Sequence, residues 1–126
     1  MDEKRAAVRW RVALPVRYAG LNTPTEGACH TCDVSTSGAR LAMVERHNAG
    51  DRLDMMLDMP DSDAGHLCLE GDVVWQREVC EFNEECKYLT GIVFRKILNC
   101  HRKDLAQYVS TNYPQEFRSR WWEGIQ

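Results

Sequence analysis

Hydrophobic and polar residues alternate with period two along most of the chain, a pattern typical of strands that bury one face. Turn-forming residues separate the alternating runs, and Pro15 within the first run places it at a sheet edge or a bulge. The predicted strands cover residues 10–18, 28–35, 39–44, 53–59, 67–75 and 87–94. Six strands at this regular spacing predict a mainly β fold, a small six-stranded antiparallel β-barrel.

Helical spacing replaces the alternation after the last predicted strand. Leu98, Leu105, Tyr108 and Val109 recur at helical intervals, and Asn99 is a suitable N-cap. These residues predict a C-terminal helix of about three turns that covers one opening of the barrel.

The length of 126 residues allows a single domain with its own core. The longest apolar runs stay well below the roughly 20 residues needed to cross a bilayer, and the first residues are charged rather than hydrophobic. We therefore expect no membrane insertion and a cytoplasmic location.

Charge is distributed unevenly along the chain. Residues 1–18 hold five basic and two acidic side chains, a net +3, whereas the whole chain has a formal charge of −3. A basic arm on an acidic body suits a small anion better than a long polyanion, which argues against DNA or RNA as the ligand. A small barrel that binds single strands through Arg9, Trp10 and Arg11 is disfavoured for the same reason.

Two short motifs stand out together. Arg5-x-x-x-Arg9 precedes the first predicted strand, and Asp33-x-Ser35-x-x-Gly38 lies at the turn between the second and third. Each motif alone is a weak signal, because the chain contains twelve arginines and because Asp and Ser commonly close hairpin turns. Their joint order is much more specific.

With these motifs the sequence resembles the PilZ family. Later segments follow in the family's order: Gly50 before an alternating run, Val73-Val74-Trp75, and Gly91-Ile92-Val93-Phe94 before the helix. The resemblance covers most of the chain and implies a bacterial, non-enzymatic receptor for cyclic di-GMP. On this basis we expect a flexible basic arm at residues 1–9, a PilZ β-barrel at 10–98, and the helix with a Trp-rich tail at 99–126.

The resemblance assigns ligand contacts to Arg5, Arg9, Asp33, Ser35 and Gly38. An arginine fork matches the O6 and N7 atoms of guanine, and it matches a phosphate equally well. An ionised Asp33 accepts from the guanine N1–H and N2–H groups, while Ser35 donates to a phosphate oxygen. Gly38 allows a positive φ or a close approach of the ligand to the main chain.

Two further residues have open alternatives. Lys4 extends the basic cluster as in the family's ligand-contacting arm, or it is an ordinary solvated lysine. Trp75 ends a core-facing alternation, which predicts an indole in the barrel core or at its rim. The resemblance instead implies that Trp75 stacks on a guanine, which is worth about 1–3 kcal/mol.

Other chemistry finds little support in the sequence. Cys29-His30-Thr31-Cys32 has the spacing of half a zinc site, and other cysteines with His101 are candidates for the second half. Residues three apart on a strand point to opposite faces, so Cys29 and Cys32 are not expected to share an ion. We expect no metal and no cofactor, free thiols rather than disulfides, and no catalytic group.

The predicted mechanism is a binding switch in which cyclic di-GMP orders the arm and changes the surface offered to a protein effector that the sequence does not identify. The adjacent Trp121 and Trp122 in the tail either pack back on the barrel or contact that effector, which controls motility, exopolysaccharide synthesis or virulence. The alternative function is that of a ligand-independent PilZ-like protein–protein adaptor.

Overall fold

The computed structural model of the protein describes residues 8–21, 23–62, 65–80 and 87–120. Within these ranges each predicted run of alternating residues contributes a strand, and two short helices follow the last strand. The elements are β1 (Pro15–Gly20), β2 (Glu26–Val34), β3 (Gly38–Met43), β4 (Arg52–Asp58), β5 (His66–Val79), β6 (Lys87–Ile97), α1 (Arg102–Asn112) and α2 (Pro114–Arg120).

The six strands form a closed antiparallel barrel in the order β1-β2-β3-β6-β5-β4, and β4 returns to β1. Pairs such as Arg17 opposite Met56 make the closing ladder. Each of the described strands therefore has a neighbour on both sides, which removes the exposed backbone edge of an open sheet. The predicted fold class is confirmed.

Burial follows the predicted alternation closely. In β4, for example, Leu53, Met55 and Leu57 face the interior, and Asp54 and Asp58 do not. Residues of β1, β3, β5 and β6 continue the same core, which Leu105, Tyr108 and Val109 of α1 complete at one end. The period of the sequence therefore identified the interior face of the barrel before any pairing was known.

The segment before β1 departs from the predicted strand over residues 10–18. The regular ladder begins at Pro15, and Trp10 makes only an isolated bridge to Val34. In that bridge the Trp10 N–H donates to the Val34 carbonyl at 2.8 Å, and the Val34 N–H donates back at 2.9 Å.

Thr31 interrupts the ladder between these two points. Its hydroxyl donates to the carbonyl of Val12 at 2.6 Å and accepts the N–H of Leu14 at 2.8 Å. The Thr31 N–H also donates to the Leu14 carbonyl at 2.9 Å, so the buried side chain supplements a single backbone bond where a regular ladder was expected. Trp10, Val12 and Leu14 remain buried nevertheless, so the predicted alternation holds where the predicted ladder does not.

The start of the helix was predicted wrongly. α1 begins at Arg102 with His101 as the N-cap, whereas Asn99 was expected in that role. The Asn99 amide instead accepts the N–H of Cys68 at 2.9 Å and donates to the carbonyl of His66 at 2.9 Å. It prolongs the β5–β6 pairing beyond Ile97, because an amide side chain offers the same donor and acceptor as a backbone peptide.

The sequence pattern did not separate α2 from the tail. Pro114 is its first residue, a position that proline favours because no hydrogen-bond partner is lost there. Leu98, expected on the buried face of the helix, precedes α1 and is about half exposed. Neither of the described helices has the length and apolar character that a membrane span requires. Trp121 and Trp122 lie outside the described residues.

Candidate functional site

A bulge in β2 places the carboxylate of Asp33. The register of β2 against β3 shifts between Thr31 and Asp33, after which Asp33 stands directly opposite Arg40. Bulges redirect side chains in this way. The Asp33 side chain is 4% exposed, so its charge is almost completely removed from water.

Two arginines hold the two oxygens of Asp33 separately. Arg40 donates from Nε to Oδ2 at 2.6 Å, and its Nη2 lies 2.5 Å from the same oxygen. Arg9 donates from Nη1 to Oδ1 at 3.4 Å, a longer contact made by a side chain that is 61% exposed. Arg9 is therefore held loosely and Arg40 tightly.

Arg9 directly precedes the Trp10–Val34 bridge, which fixes the root of the N-terminal arm beside Asp33. The structure thus brings together Arg9 and Asp33, one residue from each predicted motif. Arg5 and Lys4 lie outside the described residues, so their predicted contacts stay predictions.

Ser35 organises the turn between β2 and β3. Its buried hydroxyl accepts the N–H groups of Ser37 and Gly38, both at 3.1 Å, and the Ser35 N–H donates to the Gly38 carbonyl at 2.8 Å. This is the Ser turn that the residue type favours in hairpins. Donation to a phosphate remains a prediction, with the hydroxyl oxygen already fixed by the turn.

Gly38 is required by the barrel rather than by its φ angle. The described glycines with positive φ are Gly50 and Gly65, so the predicted option of a positive φ at Gly38 is wrong. A Cβ built on Gly38 would overlap the carbonyl oxygen of Ile92 on the paired strand β6. The close approach is therefore between two strands of the protein.

Trp75 lies outside the core. The register of β5 against β6 shifts between Val73 and Trp75, which ends the core-facing alternation at Val73 and leaves Trp75 40% exposed. The indole lies against Gly91, where any Cβ would overlap the ring. Of the two predicted positions, the core is wrong, because a one-residue shift turns the following side chains to the other face, and the rim stays a prediction.

A row of paired residues connects Trp75 with Asp33. Asp33 pairs with Arg40, Arg40 with Gly91, and Gly91 with Trp75, across four adjacent strands. Two strand spacings, roughly 10 Å, separate the Arg40 backbone from that of Trp75. The missing side chain of Gly91 makes room for the indole of Trp75, which lies over that glycine. The row offers a carboxylate, a guanidinium group and a partly exposed aromatic ring, and Arg9 adds a second guanidinium group beside Asp33.

The two helices contact the β2–β3 turn and the segment that precedes β1. Arg102, the first residue of α1, donates to the carbonyls of Thr36 at 2.8 Å and Phe94 at 3.2 Å, which ties α1 to the β2–β3 turn. Phe117 of α2 stacks on Trp10 with ring centroids 5.7 Å apart. Glu116 accepts the N–H of Arg11 at 3.0 Å.

A family model for the PilZ domain matches residues 3–111. The chain belongs to the PilZ family. The match takes in both motifs and the row of residues from Asp33 to Trp75. Among curated proteins, none matches the sequence.

Solved structures agree with this assignment at the level of the fold. The Bacillus subtilis inhibitor of motility (MotI/DgrA) has a TM-score of 0.67 and 17% identity, over 87% of this chain and 51% of that one. The K. pneumonia MrkH–c-di-GMP complex has a TM-score of 0.67 and 12% identity, over 89% and 52%. The PilZ domain of YcgR from Escherichia coli with c-di-GMP has a TM-score of 0.54 and 13% identity, over 90% and 92%. The chain thus spans about half the length of MotI and MrkH.

Sequence reasoning missed Arg40 and Arg102 because neither belongs to a PilZ motif. A signal for Arg40 was present, since Asp33 and Arg40 flank one tight turn and Arg40 alternates with the buried Ala39 and Leu41. Hairpin pairing then brings a carboxylate and a guanidinium face to face. No comparable signal exists for Arg102, whose partners are distant carbonyl groups.

The cysteines of this PilZ domain do not converge on an ion in the described ranges, where no cluster of three or more His, Cys, Asp or Glu side chains is arranged to hold a metal. Burial raises the pKa of Cys29 to about 12, and burial also raises the pKa of the exposed-face Cys32. Both shifts oppose the thiolate that a metal needs. Cys80 is disulfide-bonded, which contradicts the expectation of free thiols at that position.

We predict that Gly38→Ala destabilises the domain by about 1–3 kcal/mol, because the new methyl group overlaps the backbone of β6. Urea unfolding measures the change. Thr36→Ala is the matched control in the same turn, since only the backbone carbonyl of Thr36 makes a described hydrogen bond. Equal stability of Gly38→Ala and the wild type would mean that the glycine serves the ligand and not the barrel.

Proposed function

We propose that this PilZ domain is a receptor for cyclic di-GMP and has no catalytic role. The observation that carries the proposal is the nearly buried Asp33 carboxylate, with one oxygen on the tightly held Arg40 and the other on the loosely held Arg9. The solved complexes of YcgR and MrkH with c-di-GMP support the choice of ligand.

The chemistry of the site matches a guanine and a phosphate side by side. Guanine presents N1–H and N2–H donors, for which an ionised Asp33 is a suitable double acceptor. Arg9, with Arg5 and Lys4 of the arm, supplies forked or point-charge donors for phosphate oxygens and for guanine O6 and N7. In this proposal the rim of the β2–β3 turn, built on Ser35 and Gly38, lies against a phosphate.

Trp75 provides a surface for the flat face of a base. Its ring is partly exposed and lies over Gly91, in the same cross-strand row as Asp33 and Arg40. A guanine held by its edge at Asp33 can extend along this row toward the indole. Stacking on Trp75 then adds affinity without selecting one base over another.

Ligand binding acts as a switch by changing the partner of Arg9. Without ligand, Arg9 makes one long contact with Asp33 and is mostly exposed. With ligand, Arg9 exchanges this contact for the phosphate or the guanine, and the arm is ordered around the barrel rim. A ligand that contacts only the ordered arm shifts the population toward that state.

The output of the switch is proposed to pass through the helices to a protein effector. The root of the arm touches α2 directly, through Trp10 on Phe117 and through the Arg11 N–H on Glu116. Ordering of the arm therefore changes how firmly Phe117 and Glu116 of α2 are held. In this proposal the effector binds on the side of the molecule that carries α2, and the predicted contact by Trp121 and Trp122 stays a prediction.

We expect cyclic di-GMP to bind the wild type with a micromolar or lower Kd and to bind Arg9→Ala roughly 10- to 100-fold more weakly. The loss corresponds to one charge-assisted hydrogen bond of about 1.5–3 kcal/mol. Isothermal titration calorimetry measures both constants, with GTP as the ligand control. Arg17→Ala is the matched protein control, because Arg17 is also exposed but lies on β1 against Met56.

Absence of binding by the folded wild type would remove the receptor function. The chain would then be a ligand-independent PilZ-like adaptor, which pull-down experiments with and without the tail would test. Equal weakening of Arg9→Ala and Arg17→Ala would instead indicate a general effect of positive charge rather than a site at Asp33.

We expect Trp75→Ala to weaken cyclic di-GMP binding by roughly 5- to 150-fold, the equivalent of about 1–3 kcal/mol of stacking, and Trp75→Phe to retain most of the affinity. Competition with a fluorescent cyclic di-GMP analogue measures the change. Val74→Ala, at the neighbouring exposed position, is the control. An unchanged Kd for Trp75→Ala would show that the base does not reach the indole.

Hydrogen–deuterium exchange tests the link from the arm to α2. Saturating cyclic di-GMP should slow exchange at the Phe117 amide roughly two- to tenfold, because an ordered arm holds Trp10 on Phe117 and an aromatic pair is worth about 0.5–1.5 kcal/mol. Amides of β4 serve as the internal reference. Protection at Arg9 and Trp10 without any change in α2 would exclude α2 as the output.

A further inference from the structure

Arg40 belongs to neither sequence motif, yet it makes the shortest contacts to the central carboxylate. It stands opposite Asp33 in the β2–β3 ladder and places both Nε and Nη2 on Oδ2, at 2.6 and 2.5 Å. Arg9 reaches the other oxygen, Oδ1, at 3.4 Å. Arg40 is therefore the tight partner of the Asp33 carboxylate, and Arg9 is the loose one.

A carboxylate with 4% exposure needs a permanent partner, because a buried charge without one is strongly unfavourable. Arg9, on an exposed arm, cannot be that partner if it leaves for the ligand. Arg40 is on a barrel strand, and its side chain is only 38% exposed. Its pKa is raised, chiefly by the hydrogen bond to Asp33, which is consistent with a stable pair.

Occupation of Oδ2 by Arg40 also decides which part of Asp33 a ligand meets. The nitrogens of Arg40 approach Oδ2 from β3, whereas Oδ1 points toward the arm and its contact with Arg9 is the weaker one. When Arg9 leaves, Oδ1 is the oxygen that becomes available to a ligand, because Arg40 stays on Oδ2. Both Arg40 nitrogens already use the lone pairs of Oδ2, whereas Oδ1 has two lone pairs and is free to accept donors from a ligand once Arg9 has left.

Resting on the proposed cyclic di-GMP function, we propose that Arg40 is a positioning residue that holds Asp33 by Oδ2 and so presents a fixed, ionised carboxylate to the N1–H and N2–H edge of guanine. Arg40 acts through Asp33 and need not touch the ligand. The pairing selects guanine over adenine, because adenine places an acceptor at N1 where the carboxylate requires a donor.

A double-mutant cycle tests this inference. Calorimetry gives the Kd of cyclic di-GMP for the wild type, Arg40→Ala, Asp33→Ala and the double variant. We expect Arg40→Ala and Asp33→Ala each to weaken binding roughly 10- to 100-fold, and the double variant to bind no more weakly than Asp33→Ala alone. A further loss in the double variant would overturn the inference, since Arg40 would then contact the ligand itself.

A ligand analogue separates positioning from a general loss of structure. Cyclic di-inosine monophosphate lacks the guanine N2 amino group, so it should bind the wild type about tenfold more weakly than cyclic di-GMP. In Arg40→Ala this ratio should fall close to one, because Asp33 is no longer held against the base edge. A ratio unchanged from the wild type would contradict the proposal, whatever the absolute affinities.

Arg40→Lys keeps the experiment decisive if Arg40→Ala folds poorly. Lysine retains the charge but not the fork, so we expect affinity between those of the wild type and Arg40→Ala, with an unchanged thermal midpoint. Wild-type affinity for both Arg40→Lys and Arg40→Ala would refute the role of Arg40 while leaving the receptor function intact. Failure of the wild type to bind would instead remove the receptor function, and the inference with it.

Discussion

Closure of six strands into a barrel determines where this molecule can bind anything. An open sheet can capture a peptide at its edge by adding a strand, but here β1 and β4 pair and complete the circle. The interior is filled by side chains such as Leu41, Leu57 and Leu69. Binding must therefore use the outer face and the segments at the barrel ends: the arm, the β2–β3 turn and the helices.

The pair formed by the buried Asp33 and the partly exposed Arg40 is explained better by specificity than by stability. Removing the Asp33 charge from water costs about as much as its attraction to Arg40 returns, so such a pair adds little net stability. Its consequence is geometric. A bulge in β2 and two Arg40 nitrogens on Oδ2 give the carboxylate one orientation, which a solvated aspartate on a flexible loop would lack.

Period-two alternation was sufficient to predict the barrel, because side chains that alternate along a strand must alternate between core and solvent. The same rule failed at Trp75, where a register shift of one residue reverses the faces and leaves no mark in the hydrophobic pattern. It also missed the gap in the ladder at Thr31, whose hydroxyl binds the backbone of residues 12 and 14. Local irregularities depend on partners far along the chain.

Reasoning from the sequence predicted only part of the candidate site. Motif residues such as Asp33 were identified because the family resemblance assigns them contacts with the ligand. Arg40 and Arg102 were identified only from their contacts in the structure. The contact of Arg102 with the Thr36 carbonyl joins residues 66 positions apart, and composition and spacing are silent about such contacts.

The position of Trp10 explains how the proposed ligand binding at Asp33 would affect α2. Trp10 bridges Val34, the residue after Asp33, through its backbone, and its ring stacks on Phe117. Arg9, which changes partners in the proposed switch, is covalently attached to this same residue. A ligand that orders Arg9 therefore restricts Trp10, and any restriction of Trp10 is imposed on the helix that stacks against it. The coupling requires no long pathway, because the ligand-facing residue and the helix-facing residue are neighbours in the chain.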